Sequence, residues 1–232
     1  MTVLELKNVG YRYRDAKDND FVFQNLNYTF ELGKIYAIRG KSGKGKTTLL
    51  SLLSGLEKCD YGTIAFDGKD LRHMNLDSYR SHQIGIVFQS FNLLPHLTAI
   101  ENIILSMDIS GNKSKYKRQE AIELLKKVGL NEKEGDRRVL KLSGGEQQRV
   151  AIARSLSYNP KIILADEPTG NLDAETENDI MKIFKNLAKE GKCIIIVTHS
   201  NNVASQADLV FSLAKENKKK SLKKDKNFNT KN

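Results

Sequence analysis

The chain has little of several features that define common protein classes. Its 232 residues contain two cysteines, three prolines and no tryptophan. Cys59 and Cys193 lie far apart and in no metal-ligand spacing, so we expect two reduced thiols, with a disulfide as the less favoured alternative. The few prolines exclude a proline-rich linker, and the lack of tryptophan leaves no obvious aromatic platform for nucleic-acid bases.

Long apolar segments are also missing. The longest uninterrupted apolar run is Cys193–Val197, far short of the roughly 20 residues that cross a bilayer. Glu5 and Lys7 interrupt the first ten residues, which excludes the apolar region of a signal peptide. The sequence therefore predicts a cytoplasmic protein that does not span a membrane itself.

The charge is positive and unevenly placed. Lysine and arginine number 38 against 28 acidic residues, a net charge of +10, and Lys215–Asn232 holds +6 of it. Such a surplus suggests an acidic partner such as nucleic acid or anionic lipid. We expect the end of the chain from Leu213 onward, which includes this tail, to be solvated and disordered, with weak contact of the tail to anionic lipid as the alternative. Apolar residues make up 39% of the chain, which is enough for a packed core.

Hydrophobic periodicity predicts an α/β fold. Alternation over Leu4–Val9, over Phe21–Phe30 and in a short strand at Gly62–Gly68 predicts antiparallel β-structure, with a loop at Arg14–Asp20. Continuous β-branched runs are typical of parallel strands covered on both faces; they occur at Ile35–Ile38, Ile84–Phe88, Ile162–Ala165 and Cys193–Val197. Helical periodicity occurs at Thr47–Leu56, Ala99–Met107, Lys117–Val128, Glu146–Ser157 and Thr176–Lys189.

The order of these elements predicts one domain over residues 1–214. Residues 1–89 and 161–214 would form the α/β core with an antiparallel β subdomain. Residues 90–160, rich in helix and without a convincing strand, would form an inserted helical subdomain. The basic tail, residues 215–232, would follow the domain.

The strongest motif is Gly40–Thr47, which matches G-x-x-x-x-G-K-S/T between a predicted strand and a predicted helix. Glycines allow backbone N–H groups to surround phosphate oxygens, and the helix N-terminus adds partial positive charge. Lys46 can reach the β- and γ-phosphates, and the Thr47 hydroxyl can bind Mg²⁺. Lys41 and Lys44 either attract nucleotide or point into solvent. The nucleotide-binding residues predicted here are Gly40, Lys41, Ser42, Gly43, Lys44, Gly45, Lys46, Thr47 and Thr48.

A second motif places two carboxylates after a buried strand. Lys161–Ala165 is followed by Asp166 and Glu167, and α/β sheets bind ligands at the carboxyl ends of their strands. Asp166 fits the position of a Mg²⁺ ligand. Glu167 fits a base that polarises the water attacking the γ-phosphate.

A third motif, Leu142–Arg149, reads LSGGEQQR. Its Ser143-Gly144-Gly145 turn opens a helix and so provides a second anion-binding helix N-terminus. Together with Val150–Arg154, this segment resembles the LSGGQ or LSGGE signature of the ATP-binding cassette (ABC) ATPases. The resemblance covers about residues 2–213 and implies a P-loop NTPase core with an antiparallel β subdomain and an inserted helical subdomain.

Other positions resemble the family residue by residue. Gln89 is similar to its Q-loop glutamine, a contact of Mg²⁺ and water, and Asp173 to the aspartate of its D-loop. His199 is similar to the switch histidine that contacts the γ-phosphate. Tyr13 stands where the family has an aromatic that stacks on adenine, with Tyr11 as the competing candidate.

The resemblance thus implies three sets of site residues. The catalytic set is Lys46, Gln89, Glu167 and His199. The Mg²⁺ ligands are Thr47, Gln89 and Asp166. The nucleotide contacts beyond the phosphate loop are Tyr13, Ser143, Gly144, Gly145, Glu146 and Asp173.

The family also implies an assembly. Two cassettes form a head-to-tail dimer around two ATP molecules, each held between one phosphate loop and the other subunit's signature turn. This chain contains one cassette, so we expect a Mg²⁺-dependent ATPase that forms a homodimer, or a heterodimer with a related subunit. We expect it to drive an integral-membrane permease from the inner face of the cell membrane, through the region of Gln89–Pro95. No specific nucleic acid is expected.

The sequence of three segments indicates a subgroup within the ABC ATPases. Residues 87–95, 97–102 and 164–173 resemble the macrolide-exporter, lipoprotein-release and peptide-antibiotic-resistance cassettes, which implies export or extraction of a hydrophobic, peptide or lipoprotein substrate. A regulatory cassette of the cell-division type, which signals without transporting a solute, is the main alternative. A nucleic-acid-associated ABC protein is a second alternative, although such proteins usually carry two cassettes in one chain or a long coiled-coil insertion. A module without activity is disfavoured because Lys46, Asp166, Glu167 and His199 are all present.

Overall fold

The computed structural model describes residues 1–13, 21–40, 43 and 45–213. Several sequence predictions lie outside these residues: the loop at Arg14–Asp20, the phosphate-loop positions Lys41, Ser42 and Lys44, and the basic tail Lys215–Asn232.

Strands and helices alternate along most of the described chain. The strands are β1 Thr2–Tyr11, β2 Phe23–Glu31, β3 Ile35–Arg39, β4 Tyr61–Phe66, β5 Lys69–Asp70, β6 Ile84–Val87, β7 Ile162–Asp166, β8 Cys193–Val197 and β9 Leu209–Ser212. The helices are α1 Lys46–Leu53, α2 Leu76–His82, α3 Ala99–Ile109, α4 Lys117–Lys127, α5 Glu132–Gly135, α6 Gly144–Ser155, α7 Ala174–Lys189 and α8 Asn201–Ser205.

The described strands form two sheets, one antiparallel and one parallel. The antiparallel sheet has the order β2-β1-β4-β5, and the parallel sheet has the order β6-β7-β8-β3-β9. The four strands predicted from continuous apolar runs are neighbours in the parallel sheet. The predicted fold class is therefore confirmed: a parallel α/β core accompanied by an antiparallel sheet.

Residues of β7 illustrate why these runs are apolar throughout. Ile162 and Leu164 pack in the cluster that contains the antiparallel sheet and α1. Ile163 and Ala165 point to the opposite face, into the cluster formed with α3, α6 and α7. Both faces of the strand are buried, so neither can carry polar residues.

Helices α3 to α6 fill the segment between β6 and β7. Their apolar residues share one cluster with a face of the parallel sheet, in which Val150 and Ile152 of α6 are completely buried. In the described segment from residue 88 to residue 161, extended pairing is limited to an isolated bridge between Thr98 and Arg138. The prediction of a helix-rich segment without strands is thus confirmed.

One prediction was wrong, and several short elements were missed. The disordered end was placed from Leu213 onward, but Leu213 is 5% exposed and its N–H donates to Arg39 O at 2.7 Å. It follows β9, which the sequence did not predict because only four residues alternate weakly. Helix α2 was also missed, since seven residues with Tyr79 as the buried one give too little periodicity.

Candidate functional site

A cleft of about 780 Å³ lies where β7 and β8 end and α1 begins. The carboxyl ends of parallel strands lie at the same edge of the sheet, so residues distant in sequence meet there. Ten of the predicted site residues line this cleft: Tyr13, Gly43, Gly45, Lys46, Thr47, Thr48, Gln89, Asp166, Glu167 and His199.

Gly45 opens helix α1 in a conformation that favours glycine. Its φ is +81°, and an added Cβ would lie 2.3 Å from Val22 Cγ1. Gly45 provides no side-chain hydrogen bond to cap the helix, and the first turn of α1 contains no acidic residue. The N–H groups at this helix start are therefore available to an anion in the cleft.

Lys46 is the first residue of α1 and is only 8% exposed. Its Nζ donates to Gly40 O at 2.8 Å and lies 2.7 Å from His199 Nε2. Glu167 Oε1 is 3.9 Å from the same Nζ. The ammonium group is thus held at the cleft by short contacts and one nearby carboxylate, in a position to meet a phosphate.

Asp166 ends β7 and accepts a hydrogen bond from Thr47 Oγ1 at 3.1 Å. Burial raises the pKa of the Asp166 carboxyl, and the Thr47 hydrogen bond and the Lys46 charge offset part of that effect. A carboxylate beside a hydroxyl is a donor set that suits Mg²⁺. Among the described residues no cluster of three or more His, Cys, Asp or Glu side chains could hold a metal.

Glu167 follows directly and has a φ of +45°, in the left-handed region. Its N–H donates to Val197 O at 2.9 Å, and its Oε2 accepts from the His199 N–H at 3.0 Å. Its Oε1 is buried and has no hydrogen-bond partner among the described residues. An unpartnered carboxylate oxygen in a cleft is suited to accept a proton from water.

His199 lies between Lys46 and Glu167. A charged lysine can only donate, so we assign Nε2 as the acceptor of the 2.7 Å contact from Lys46 Nζ and place the ring proton on Nδ1. With this tautomer, the lone pair of Nε2 accepts from Lys46, and Nε2 carries no proton that it could donate to Glu167 Oε1, 3.3 Å away. This explains why Oε1 receives no hydrogen bond from the imidazole.

The two tyrosine candidates occupy different environments. Tyr11 is 8% exposed and belongs to the apolar core, whereas Tyr13 is 53% exposed and lines the cleft. The Tyr13 hydroxyl lies 2.6 Å from Thr48 Oγ1, and its ring meets Tyr11 edge-on. Tyr13 is therefore the one of the two that a ligand in the cleft can reach.

The signature residues lie outside the lining of this cleft. Ser143 caps helix α6: its Oγ accepts from Glu146 N at 3.3 Å, and its N–H donates to Glu146 Oε2 at 2.6 Å. Asp173 caps α7 through Thr176, whose N–H lowers the pKa of the Asp173 carboxyl. An added Cβ on Gly145 would meet Thr176 Cγ2 at 2.7 Å, so the signature turn packs beside the start of α7. As nucleotide contacts, these residues remain predictions.

The cleft also contains side chains that sequence reasoning missed, among them Thr169, Glu177 and Ser200. Ser200 follows His199 and caps α8, and a serine before a short helix could have indicated it. Glu177 carries no local signal, since a glutamate in the first turn of a helix is common.

A glycine-rich loop that opens a helix, facing carboxylates at the carboxyl end of a parallel strand, is the arrangement of the P-loop nucleoside triphosphatase (NTPase) class. The protein-family model "ABC transporter" matches residues 23–170. The chain is 44% identical to the uncharacterized ABC transporter ATP-binding protein YclH of Bacillus subtilis, over 93% of this chain and 95% of that protein. It is 40% identical to the lipoprotein-releasing system ATP-binding protein LolD of Francisella tularensis, over 91% and 93%.

A solved structure also supports membership of this family. The dimeric structure of the ATP-binding cassette MJ0796 in a post-hydrolysis state bound to ADP and Pi superimposes with a TM-score of 0.81 at 38% identity, over 90% of this chain and 93% of that chain. This chain belongs to the ABC transporter family, as an ATP-binding subunit. Among the described residues, no helix combines the length and apolar character needed to cross a membrane.

Proposed function

We propose that this chain hydrolyses ATP as one half of a cassette dimer and drives a separate integral-membrane permease. The observation that carries the proposal is the meeting of Lys46, Asp166, Glu167 and His199 in one cleft, with Glu167 Oε1 buried and free to accept a proton. The similarity to an ATP-binding cassette solved with ADP and Pi supports hydrolysis.

Each residue has a chemical task in this proposal. The N–H groups at the start of α1 and the Lys46 ammonium bind the phosphates, and Tyr13 stacks on the base. Glu167 orients and polarises a water, because its Oε2 is fixed by the His199 N–H while Oε1 accepts from the water. The His199 imidazole, released from Lys46, contacts the γ-phosphate.

We assign a Mg²⁺ to Asp166, Thr47 and Gln89. The first two bring a carboxylate and a hydroxyl oxygen to the cleft, and the Gln89 amide lines the cleft beside Gly170. The metal would supply charge neutralisation at the phosphate oxygens. The protein's part is to orient these oxygens, with the burial of Asp166 favouring a bound cation over a bare carboxylate.

The position of the signature turn supports a dimer. Ser143, Gly144, Gly145 and Glu146 do not line the cleft of their own chain. Among the described residues the Ser143 hydroxyl accepts from Glu146 N and donates to none, so its proton is left for a further acceptor. The turn of one subunit would close over the γ-phosphate held by its partner. MJ0796 was solved as a dimer.

The experiment is a comparison of Glu167→Gln with the unaltered chain. Glutamine keeps the shape but cannot act as a base, so turnover should fall by at least about 100-fold. ATP binding should persist, and light scattering with ATP and Mg²⁺ should give a mass near twice 26.2 kDa.

Glu175→Gln is the matched control, because Glu175 is an exposed glutamate in the first turn of α7. It should hydrolyse ATP like the unaltered chain. A Glu167→Gln chain that stays monomeric at saturating ATP would contradict the dimer, and one that turns over normally would contradict the role of Glu167.

For the domain organisation we propose that residues 90–160 transmit closure of the dimer to the permease, while residues 1–89 and 161–214 form the nucleotide-binding core and 215–232 a tail. Support comes from Gln89, which lies two residues beyond the strand β6 at one edge of the sheet and lines the cleft, and from the helices that follow it. Export or extraction of a lipoprotein, peptide or hydrophobic substrate is proposed from the similarity to LolD.

Capture of the tagged full chain from solubilised membranes tests the coupling. Leu94→Arg, five residues beyond Gln89, should reduce the amount of a co-purifying integral-membrane protein. Leu209→Arg is a control of equal exposure, 38% for both leucines, on the strand at the other edge of the sheet. Equal recovery of that protein with both variants would contradict coupling through this segment.

A further inference from the structure

The Glu177 carboxylate joins two turns that border the cleft. Glu177 lies in the first turn of α7 and lines the cleft. Its Oε2 accepts from Thr169 Oγ1 at 2.9 Å. Its Oε1 accepts from Ser200 Oγ at 3.2 Å and from Asn202 Nδ2 at 2.7 Å. A carboxylate is the one side-chain group that accepts on both oxygens at once, so it can hold both turns together.

Thr169 belongs to the turn that begins at Glu167. The Gly170 N–H donates to Glu167 O at 3.1 Å, and the Leu172 N–H donates to Thr169 O at 3.1 Å. Thr169 is 4% exposed, so its hydroxyl has little access to water as an alternative partner. The hydrogen bond to Glu177 therefore fixes this turn relative to helix α7.

Ser200 belongs to the turn that begins at His199. Its Oγ caps α8 by accepting from Val203 N at 3.2 Å, and its N–H donates to Thr198 Oγ1 at 2.9 Å. The hydroxyl can accept and donate at the same time. Its proton goes to Glu177, and Asn202, two residues further on, adds a second donor to the same oxygen.

We propose that Glu177 is a positioning residue for ATP hydrolysis, which sets the Glu167 turn against the His199 turn. The inference rests on the proposed function, because its effect is on the reaction of Glu167. Glu167 has φ +45°, and a non-glycine residue stays in that region only where its surroundings enforce it. The Glu177 network, formed with Thr169, Ser200 and Asn202, links the two turns whose contact is the 3.0 Å bond from His199 N to Glu167 Oε2.

The test uses the full 232-residue chain with Glu177→Ala, and Glu175→Ala as the control. Both substitutions remove one carboxylate from the first turn of α7, so they change the charge near the helix N-terminus equally. Initial rates over a range of ATP concentrations with Mg²⁺, ATP titration calorimetry and the thermal midpoint are measured for each. We expect kcat of Glu177→Ala to fall about 10-fold, since displacement of a reacting group by about 1 Å costs up to 10²-fold. The ATP dissociation constant should stay within about twofold.

Thr169→Val is the second variant and keeps the inference testable if Glu177→Ala does not fold. Valine has the shape of threonine and removes only the donor to Glu177. We expect a loss of kcat of the same kind, and the double variant should lose no more than the more impaired single variant, because both remove the same contact.

The outcomes separate the two proposals. If the unaltered chain and Glu175→Ala hydrolyse ATP and Glu177→Ala and Thr169→Val match them, the Glu177 inference is wrong while the proposed function stands. It is also wrong if ATP affinity falls as much as kcat, since that indicates a binding defect. If the unaltered chain hydrolyses no ATP, the proposed function fails and the inference fails with it.

Discussion

Two glycine-containing turns open helices in this chain, and they differ in how their N–H groups are satisfied. At α1 the cap is Gly45, which makes no side-chain hydrogen bond, and the first turn holds Lys46 in place of an acid. At α6, Ser143 and Glu146 satisfy each other's N–H groups in a capping box. The Gly45 turn lines the cleft, and the Ser143–Gly145 turn does not.

This difference suits the two helix starts to different ligand contacts. A helix start without a capping side chain, flanked by an ammonium, gains from a bound anion. A helix start that is already capped can fold on its own and then offer its hydroxyl and glycines to another molecule. This contrast supports the proposal that the chain carries one phosphate site for itself and one for a partner, as a head-to-tail dimer would require.

Replacing a glycine in each turn should give the largest effects on the free energy of unfolding, with opposite signs at the two turns. Gly45→Ala places a Cβ 2.3 Å from Val22 Cγ1 at φ +81°, and we expect a loss of about 1–3 kcal/mol of unfolding free energy. In Gly144→Ala the nearest atom outside the local helix is Leu172 Cδ2 at 3.7 Å, so alanine should be tolerated or add about 0.5 kcal/mol. Chemical denaturation of both variants measures the difference.

Gly144→Ala also tests the dimer. Introduced into Glu167→Gln, Gly144→Ala should weaken the ATP-dependent dimer despite its normal stability, because the added methyl group stands where a phosphate must approach. A Gly144→Ala chain that dimerises like its parent would remove the distinction between the two turns.

Removing a cap should separate stability from function. Ser143→Ala and Thr98→Ala each break a capping box, at α6 and at α3, and each should cost about 1 kcal/mol. ATPase turnover should fall only in Ser143→Ala, since Thr98 caps a helix that has no predicted contact with nucleotide. Thermal midpoints and initial rates, measured on the same preparations, give both quantities; equal turnover in the two variants would argue against a partner site at Ser143.

The carboxylates beside the two turns should respond in opposite ways, with the smallest effects on stability. Burial raises the folded-state pKa of Asp166, so its ionised form destabilises the fold above that pKa and the cost disappears as the pH falls. Asp166→Asn should therefore raise the thermal midpoint at neutral pH, in metal-free buffer, while abolishing turnover. Glu146→Gln keeps the cap but loses a charge at a helix start, which should cost about 0.3–1 kcal/mol.

Thermal midpoints of both variants between neutral and mildly acidic pH check this comparison. The gain in Asp166→Asn should shrink toward acidic pH, because protonated Asp166 carries no charge to bury. A midpoint at neutral pH below that of the unaltered chain would show that the Thr47 and Lys46 contacts outweigh burial.

Prediction succeeded where the signal is local. Cys193–Val197 was predicted with both ends correct, since five apolar residues in a row fit a strand buried on two faces. Helix α6 was predicted to start at Glu146 and in fact starts at Gly144, because the glycines have low helix propensity and the cap overrides it. The last strand and α2 were missed since each is short and buries little.

Local sequence was enough to predict the phosphate loop, the carboxylates of Asp166 and Glu167 and the signature turn, because each depends on neighbours within a few residues. The packing of the fold, which local sequence does not reveal, brings Lys46 to His199 across 153 positions and Thr47 to Asp166 across 119. It also decided that Tyr13 and not Tyr11 faces the cleft, and that Glu177 joins two turns. Spacing along a chain fixes backbone geometry, whereas the order β7-β8-β3 in the parallel sheet fixes which strand ends become neighbours.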